Sequence, residues 1–183
     1  MDKIENKHIY LLGFMGCGKS TLGRKLANIL DMPFVDTDIL VEVKVGMTVS
    51  TIFEMLGEAK FRELELEVLA ELASDGKIAK VVALGGGTPT LENVWPLLQN
   101  SGTTIYLQRT AEQLYDHVRH TDHRPVLKRA ERKDLLQHVQ NLLHARTPYY
   151  ARANHTFICD DDWGIDETIE RLLKLIEENH ENN

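Results

Sequence analysis

The stretch Ile9-Tyr10-Leu11-Leu12-Gly13-Phe14-Met15-Gly16-Cys17-Gly18-Lys19-Ser20-Thr21 decides how the chain is read. Four apolar residues lead directly into glycines at 13 and 18 followed by Lys-Ser, which is the spacing of a phosphate-binding loop: Gly, four residues, Gly-Lys-Ser/Thr. Glycines let the backbone turn until several N–H groups face one anion, and the helix opening near Gly18 adds the positive end of its dipole. Lys19 brings a mobile charge to the outer phosphates, and the Ser20 hydroxyl is placed to ligate Mg2+. The plain alternative is a glycine-rich turn ahead of a helix. Against it, a strand-like run precedes the loop, and Leu22, Leu26, Ala27, Ile29 and Leu30 follow at helical spacing. The chain is therefore expected to use a nucleoside triphosphate. Cys17 reads as a small residue that fits its loop position.

The whole chain bounds that reading. Its 183 residues, 43% hydrophobic and 27% charged, suit one soluble globular domain over residues 1–183. The two cysteines, Cys17 and Cys159, match no metal or disulfide spacing. No run approaches the roughly 18 apolar residues of a membrane span. The opening Met-Asp-Lys-Ile-Glu-Asn-Lys has no signal-peptide apolar region, so a cytoplasmic location without a membrane partner is expected. A net charge of −7 opposes nucleic acid as a partner. Arginines that meet an anionic small molecule must then be gathered in one place.

Beyond the first helix, Asp31-Met32-Pro33 breaks the pattern and Phe34-Val35 reads as a second strand ending in Asp36-Thr37-Asp38. Two carboxylates at the carboxyl end of a buried strand lie where open α/β sheets bind ligands. Asp36 could reach a Mg2+ shell and Asp38 an acceptor hydroxyl, or Asp38 could simply cap the next helix. A short helix is expected from Thr48 and a longer one after Gly57-Glu58, with Phe61, Leu64, Val68, Leu69 and Leu72 on one face. Arg62 and Glu65 lie off that stripe and read as a solvated i, i+3 pair. Ile78 to Leu84 is a strongly apolar strand, and Gly85-Gly86-Gly87 follows at once, marking a close approach of the backbone to a ligand in preference to a flexible connector.

A helix over residues 91–99, a strand over 103–107 and a helix over 111–118 come next. The following segment, about 119–132, holds Arg119 and Arg124, is polar and lacks periodicity, as a phosphate-covering lid would. His117, His120 and His123 recur at every third residue without acidic or cysteine companions at ligand spacing, so no metal site is expected there. Residues 135–143 form a helix that Pro148 should kink or restart, 155–159 the last strand, and 165–176 an amphipathic closing helix. Five strands alternating with helices predict one three-layer α/β domain with a parallel sheet.

In this order the pieces resemble the shikimate kinases over almost the whole chain. The matching residues are Gly13 to Thr21, Asp36-Thr37-Asp38, Ile52-Phe53, Gly57-Glu58, Phe61-Arg62-Glu63-Leu64-Glu65, Gly85-Gly86-Gly87, Arg124-Pro125-Val126-Leu127, and Arg146 with Tyr150. The resemblance implies a P-loop fold of the nucleoside-monophosphate-kinase kind, with five parallel strands in order 2-3-1-4-5. It implies transfer of the γ-phosphoryl of ATP to the 3-hydroxyl of shikimate, with Mg2+ on Ser20 and Asp36, by a monomer. By the same resemblance Gly16, Cys17, Gly18, Lys19, Ser20 and Thr21 bind ATP and Asp38 holds the acceptor hydroxyl as its base. Arg62 and Arg146 clamp the substrate carboxylate, and Gly85, Gly86 and Gly87 line its seat in a substrate-binding segment of about 38–75 and this turn. Arg124 reaches the ATP phosphates from the lid, and Arg119 matches the residue that stacks on adenine. Two stretches depart from the family pattern: Ala151-Arg152-Ala153-Asn154 is less acidic, and His120-Thr121-Asp122-His123 is less basic and less glycine-rich. The rival readings are another small-molecule kinase of the same fold, such as a gluconate kinase, and a nucleotide-binding module with no acceptor.

Overall fold

The computed structural model describes residues 7–75, 78–119 and 134–180. Its five strands are β1 (His8–Leu12), β2 (Phe34–Asp36), β3 (Val81–Ala83), β4 (Gly102–Gln108) and β5 (His155–Ile158). They form one sheet in the order β2-β3-β1-β4-β5, with every neighbouring pair parallel. This is the order that the resemblance implies. Parallel strands need crossovers, and the helices α1 (Lys19–Ile29), α2 (Thr37–Val45), α3 (Val49–Met55), α4 (Gly57–Ser74), α5 (Trp95–Ser101), α6 (Ala111–Val118) and α7 (Leu135–Tyr150) lie within them, while α8 (Ile165–His180) follows the last strand. All five residues of β1 are buried, as expected of a central strand covered on both faces. No described helix is long and apolar enough to cross a membrane.

Three elements differ from the sequence reading, each for a local reason. The third strand begins at Val81, because the His8 ring accepts the Lys80 N–H while Ile78 stands 57% exposed before it. The helix expected over 91–99 is a single 3-10 turn, Glu92–Val94, followed by α5 from Trp95, and another 3-10 turn, Thr88–Thr90, precedes it. Pro89 and Pro96 fall at helix starts, where a missing N–H costs nothing. Finally, α7 runs through Pro148 to Tyr150. Proline has no N–H to give the carbonyl four residues back, so one backbone bond is forfeited two residues before the helix ends. Arg146 and Tyr150, four apart, consequently share a buried face.

Candidate active site

The phosphate loop joins β1 to α1. Gly18 closes it with φ 101°, a left-handed conformation that a side chain would strain, and caps α1 with its backbone alone. Lys19 Nζ lies back over the loop, donating to the carbonyls of Gly13 and Phe14 at 2.9 Å each. Ser20 Oγ donates to Asp36 Oδ2 at 2.7 Å. The other Asp36 oxygen accepts the Asp38 N–H at 3.1 Å, so Asp36, not Asp38, is the N-cap of α2. Asp38 falls in the first turn instead. A cavity of about 320 Å³ opens between these groups, bordered by Gly16, Gly18 to Thr21, Asp36, Asp38, Ile39, Leu84 and Gly86.

The glycine triplet follows β3 into this space, and each of its members faces a different side chain. A Cβ on Gly85 would stand 2.6 Å from Asp38 Oδ1 and equally close to Glu65 Oε1. One on Gly86 would lie 3.2 Å from the Met15 N and 3.6 Å from Arg146 Nη1. One on Gly87 would strike the Arg62 guanidinium. The turn is thereby the place where Asp38, Arg62, Arg146 and the phosphate loop come together. Thr37 Oγ1 accepts the Gly85 N–H at 3.0 Å and fixes its entry.

The two arginines are held by different means. Arg62 Nη1 meets Glu65 Oε2 at 2.5 Å and Nη2 meets Glu58 Oε1 at 2.9 Å. Glu65 is fully buried and accepts the Thr88 hydroxyl at its second oxygen. The expected solvated pair is therefore a buried one, because the 85–88 turn packs down on α4 over it. Burial acts to lower the Arg62 pKa, but the carboxylates of Glu65 and Glu58 outweigh it and leave the guanidinium above its ordinary value. Arg146, 8% exposed, donates to the Gly86 carbonyl at 3.2 Å and lies over the Phe14 ring at 5.8 Å, so it touches both the turn and the phosphate loop. Tyr150 donates to the same carbonyl at 2.6 Å. Burial raises the Tyr150 pKa, with Arg146 only partly opposing it, so the phenol keeps its proton.

The remaining expected residues are placed as follows. Cys17 is buried within the loop, 3.7 Å from Lys19 Nζ. Arg119 points along the outer surface, 3.4 Å from Asp116 and over the Tyr115 ring, and does not border the cavity. Arg124, with His120, His123 and the rest of the expected lid, lies outside the described residues. Among the described residues no group of three or more His, Cys, Asp or Glu could hold a metal. The less acidic stretch is in use: Arg152 pairs with Glu92 at 2.8 Å over the Trp95 ring, and Asn154 takes two bonds from Thr104. Glu65, Glu58, Thr88, Thr37 and Phe14 support the site without having been expected to. Only their place in the quoted motifs could have pointed to Glu58 and Glu65.

The sequence model of the family described as Shikimate kinase matches residues 15–177. The chain belongs to the shikimate kinase family. A shikimate kinase of Flavobacterium johnsoniae is 36% identical over 170 residues, covering 92% of this chain and 98% of that one. The structure of a shikimate kinase from Acinetobacter baumannii in complex with shikimate superposes with a TM-score of 0.86 at 36% identity, covering 94% of each chain. A crystal structure of shikimate kinase from Bacteroides thetaiotaomicron gives 0.84 at 34% identity, over 93% of this chain and 98% of that one. The chain's site is thus laid out on the fold of shikimate kinases across nearly its full length.

Proposed function

We propose that the chain transfers the γ-phosphoryl group of ATP to the 3-hydroxyl of shikimate, giving shikimate 3-phosphate and ADP. The observation that carries this reading is the glycine turn, against which Asp38, Arg146 and Arg62 are arrayed in succession beside the phosphate loop. Phosphoryl transfer asks mainly for positioning and for positive charge around the transferred group. The phosphate loop with Lys19 seats the triphosphate, and Arg124 adds charge from the lid. Asp38, at the border of the same cavity, takes the acceptor hydroxyl and its proton. Arg62 and Arg146 hold the acceptor's carboxylate, a planar group that guanidinium forks match better than an ammonium does.

Ser20 and Asp36 offer a hydroxyl and a carboxylate oxygen side by side, the hard donors that Mg2+ prefers, and few protein ligands suffice where substrate phosphates complete the shell. When bound, Mg2+ supplies neutralisation of the phosphate oxygens. We further propose a single domain over 1–183 that works as a monomer in the cytoplasm, with its lid near 119–132.

Coupled assays of ADP release with shikimate, gluconate and nucleoside monophosphates test the reading. Release with shikimate alone is expected, and Asp38→Asn should abolish it while leaving binding of an ATP analogue nearly unchanged. No release with shikimate above the ATPase background would overturn the proposal.

A further inference from the structure

At the phosphate loop, three side chains from distant parts of the chain meet on two consecutive backbone carbonyls. Arg109, one residue ahead of the Thr110 cap of α6, donates from Nε to the Cys17 carbonyl at 3.2 Å. His117, in the last turn of α6, lies with Nδ1 2.9 Å from the Gly16 carbonyl. A carbonyl only accepts, so Nδ1 carries the proton. Both side chains also reach Asp161, which follows β5: Arg109 Nη1 bonds its Oδ1, and His117 Nε2 stands 3.5 Å from the same oxygen. One carboxylate therefore holds two side chains, and each of these holds one of two consecutive loop carbonyls. The contacts span 92 and 101 residues of sequence.

We propose that Arg109, His117 and Asp161 form an external clamp that sets the anion-binding shape of the loop, with Arg109 a positioning residue for the triphosphate. The inference rests on the kinase reading above. A peptide unit is planar and trans, so the Cys17 carbonyl and the Gly18 N–H point in opposite directions. Anchoring that carbonyl outward turns the Gly18 N–H toward the cavity that Gly18 borders. The preceding N–H, that of Cys17, is already given to the Phe14 carbonyl at 3.2 Å, which leaves the Gly18 donor as the one the clamp governs. Pairing with Asp161 offsets the charge of Arg109, whose side chain is only 10% exposed, so the residue shapes the loop without competing with Lys19 for phosphate. Val118 presses on the same turn, since a Cβ on Gly16 would come within 2.6 Å of its Cγ1. The carboxyl end of α6 is in this way docked on the loop, immediately before the segment that carries Arg124.

The test uses the full chain with Arg109→Ala, Arg109→Lys and Asp161→Asn, measuring KM for each substrate, kcat, melting temperature and ADP affinity. A donor aimed at a bound phosphate serves ground state and transition state alike. Arg109→Ala should therefore raise KM for ATP about tenfold, with kcat and KM for shikimate within about twofold of the parent. Arg109→Lys keeps a cation for Asp161 but cannot span both partners, so it should show a similar rise with a melting temperature near the parent's. Asp161→Asn, which leaves both carbonyl contacts possible, should raise KM for ATP about threefold. Should the alanine variant fail to fold, the lysine and asparagine variants decide. Unchanged ATP KM and ADP affinity in Arg109→Lys, beside a parent that binds ADP and turns over shikimate, overturns the clamp alone. A parent that does neither overturns the kinase reading and the clamp with it.

Discussion

Glu65 Oε2 lies 2.5 Å from Arg62 Nη1, and the carboxylate is wholly withdrawn from solvent. Its other oxygen accepts the Thr88 hydroxyl, so the guanidinium is fixed from behind by a group that is itself fixed. A solvated pair three residues apart on a helix is worth a few tenths of a kcal/mol, whereas a buried one is expensive to break from one side. Glu65→Gln keeps the shape and removes the charge. It should lower unfolding free energy by about 2–4 kcal/mol and raise KM for shikimate more than KM for ATP. Denaturant unfolding and two-substrate kinetics check both parts, and parental stability in the variant would mean that Arg62 does not depend on Glu65.

What could be read from the chain follows the range of the interactions. The phosphate loop, most of the helices and the two carboxylates of Asp36-Thr37-Asp38 are local patterns, set by glycine geometry, apolar spacing and capping chemistry, and they lie close to where they were expected. The burial of Glu65 is not local: it comes from the 85–88 turn, some twenty residues on, settling over α4. Spacing alone assigns the Arg62 pair to the surface for that reason. The division of labour between Asp36 and Asp38 likewise depends on where α2 starts, and one residue decides which carboxylate becomes the cap. At the end of α6 it is His117 that lies against the phosphate loop, while Arg119, two residues on, turns outward. Helix phase and the position of a loop a hundred residues earlier determine that difference, and neither is written in a motif.

Gly87→Ala tests why the triplet is glycine. The Gly87 backbone has φ −97°, which any residue adopts, and the nearest atoms an added methyl would meet all belong to the Arg62 guanidinium. The far end of a long side chain can move where backbone cannot. The fold should thus survive with a small loss of stability, while Arg62 is pushed off its place. KM for shikimate should rise about tenfold or more and KM for ATP stay near the parent's. If the variant binds shikimate as the parent does, the triplet is a connector and its closeness to Arg62 has no bearing on the site.

His8 makes stability depend on pH. It is buried at the start of β1, with Nδ1 accepting the Lys80 N–H at 3.1 Å and Nε2 donating to the Leu72 carbonyl at 3.1 Å, and so ties β1 to the end of α4 and the approach to β3. Burial lowers its pKa from the ordinary 6.5; the Leu72 bond and Asp75 oppose this, and Lys80 adds to it. Protonation would also place a proton on the nitrogen that must accept. Because the folded pKa lies below the unfolded one, the unfolded chain takes up the proton first as pH falls. The contribution of His8 is complete above about pH 6.5 and is lost progressively below it, toward the folded pKa. Urea unfolding at about pH 7.5 and pH 5.5 should show a fall in stability that is shallower in His8→Gln, whose amide does not titrate. The other seven histidines are common to both chains and cancel in the comparison. Parallel pH dependence in parent and variant would show that the ring takes no part in the acid loss.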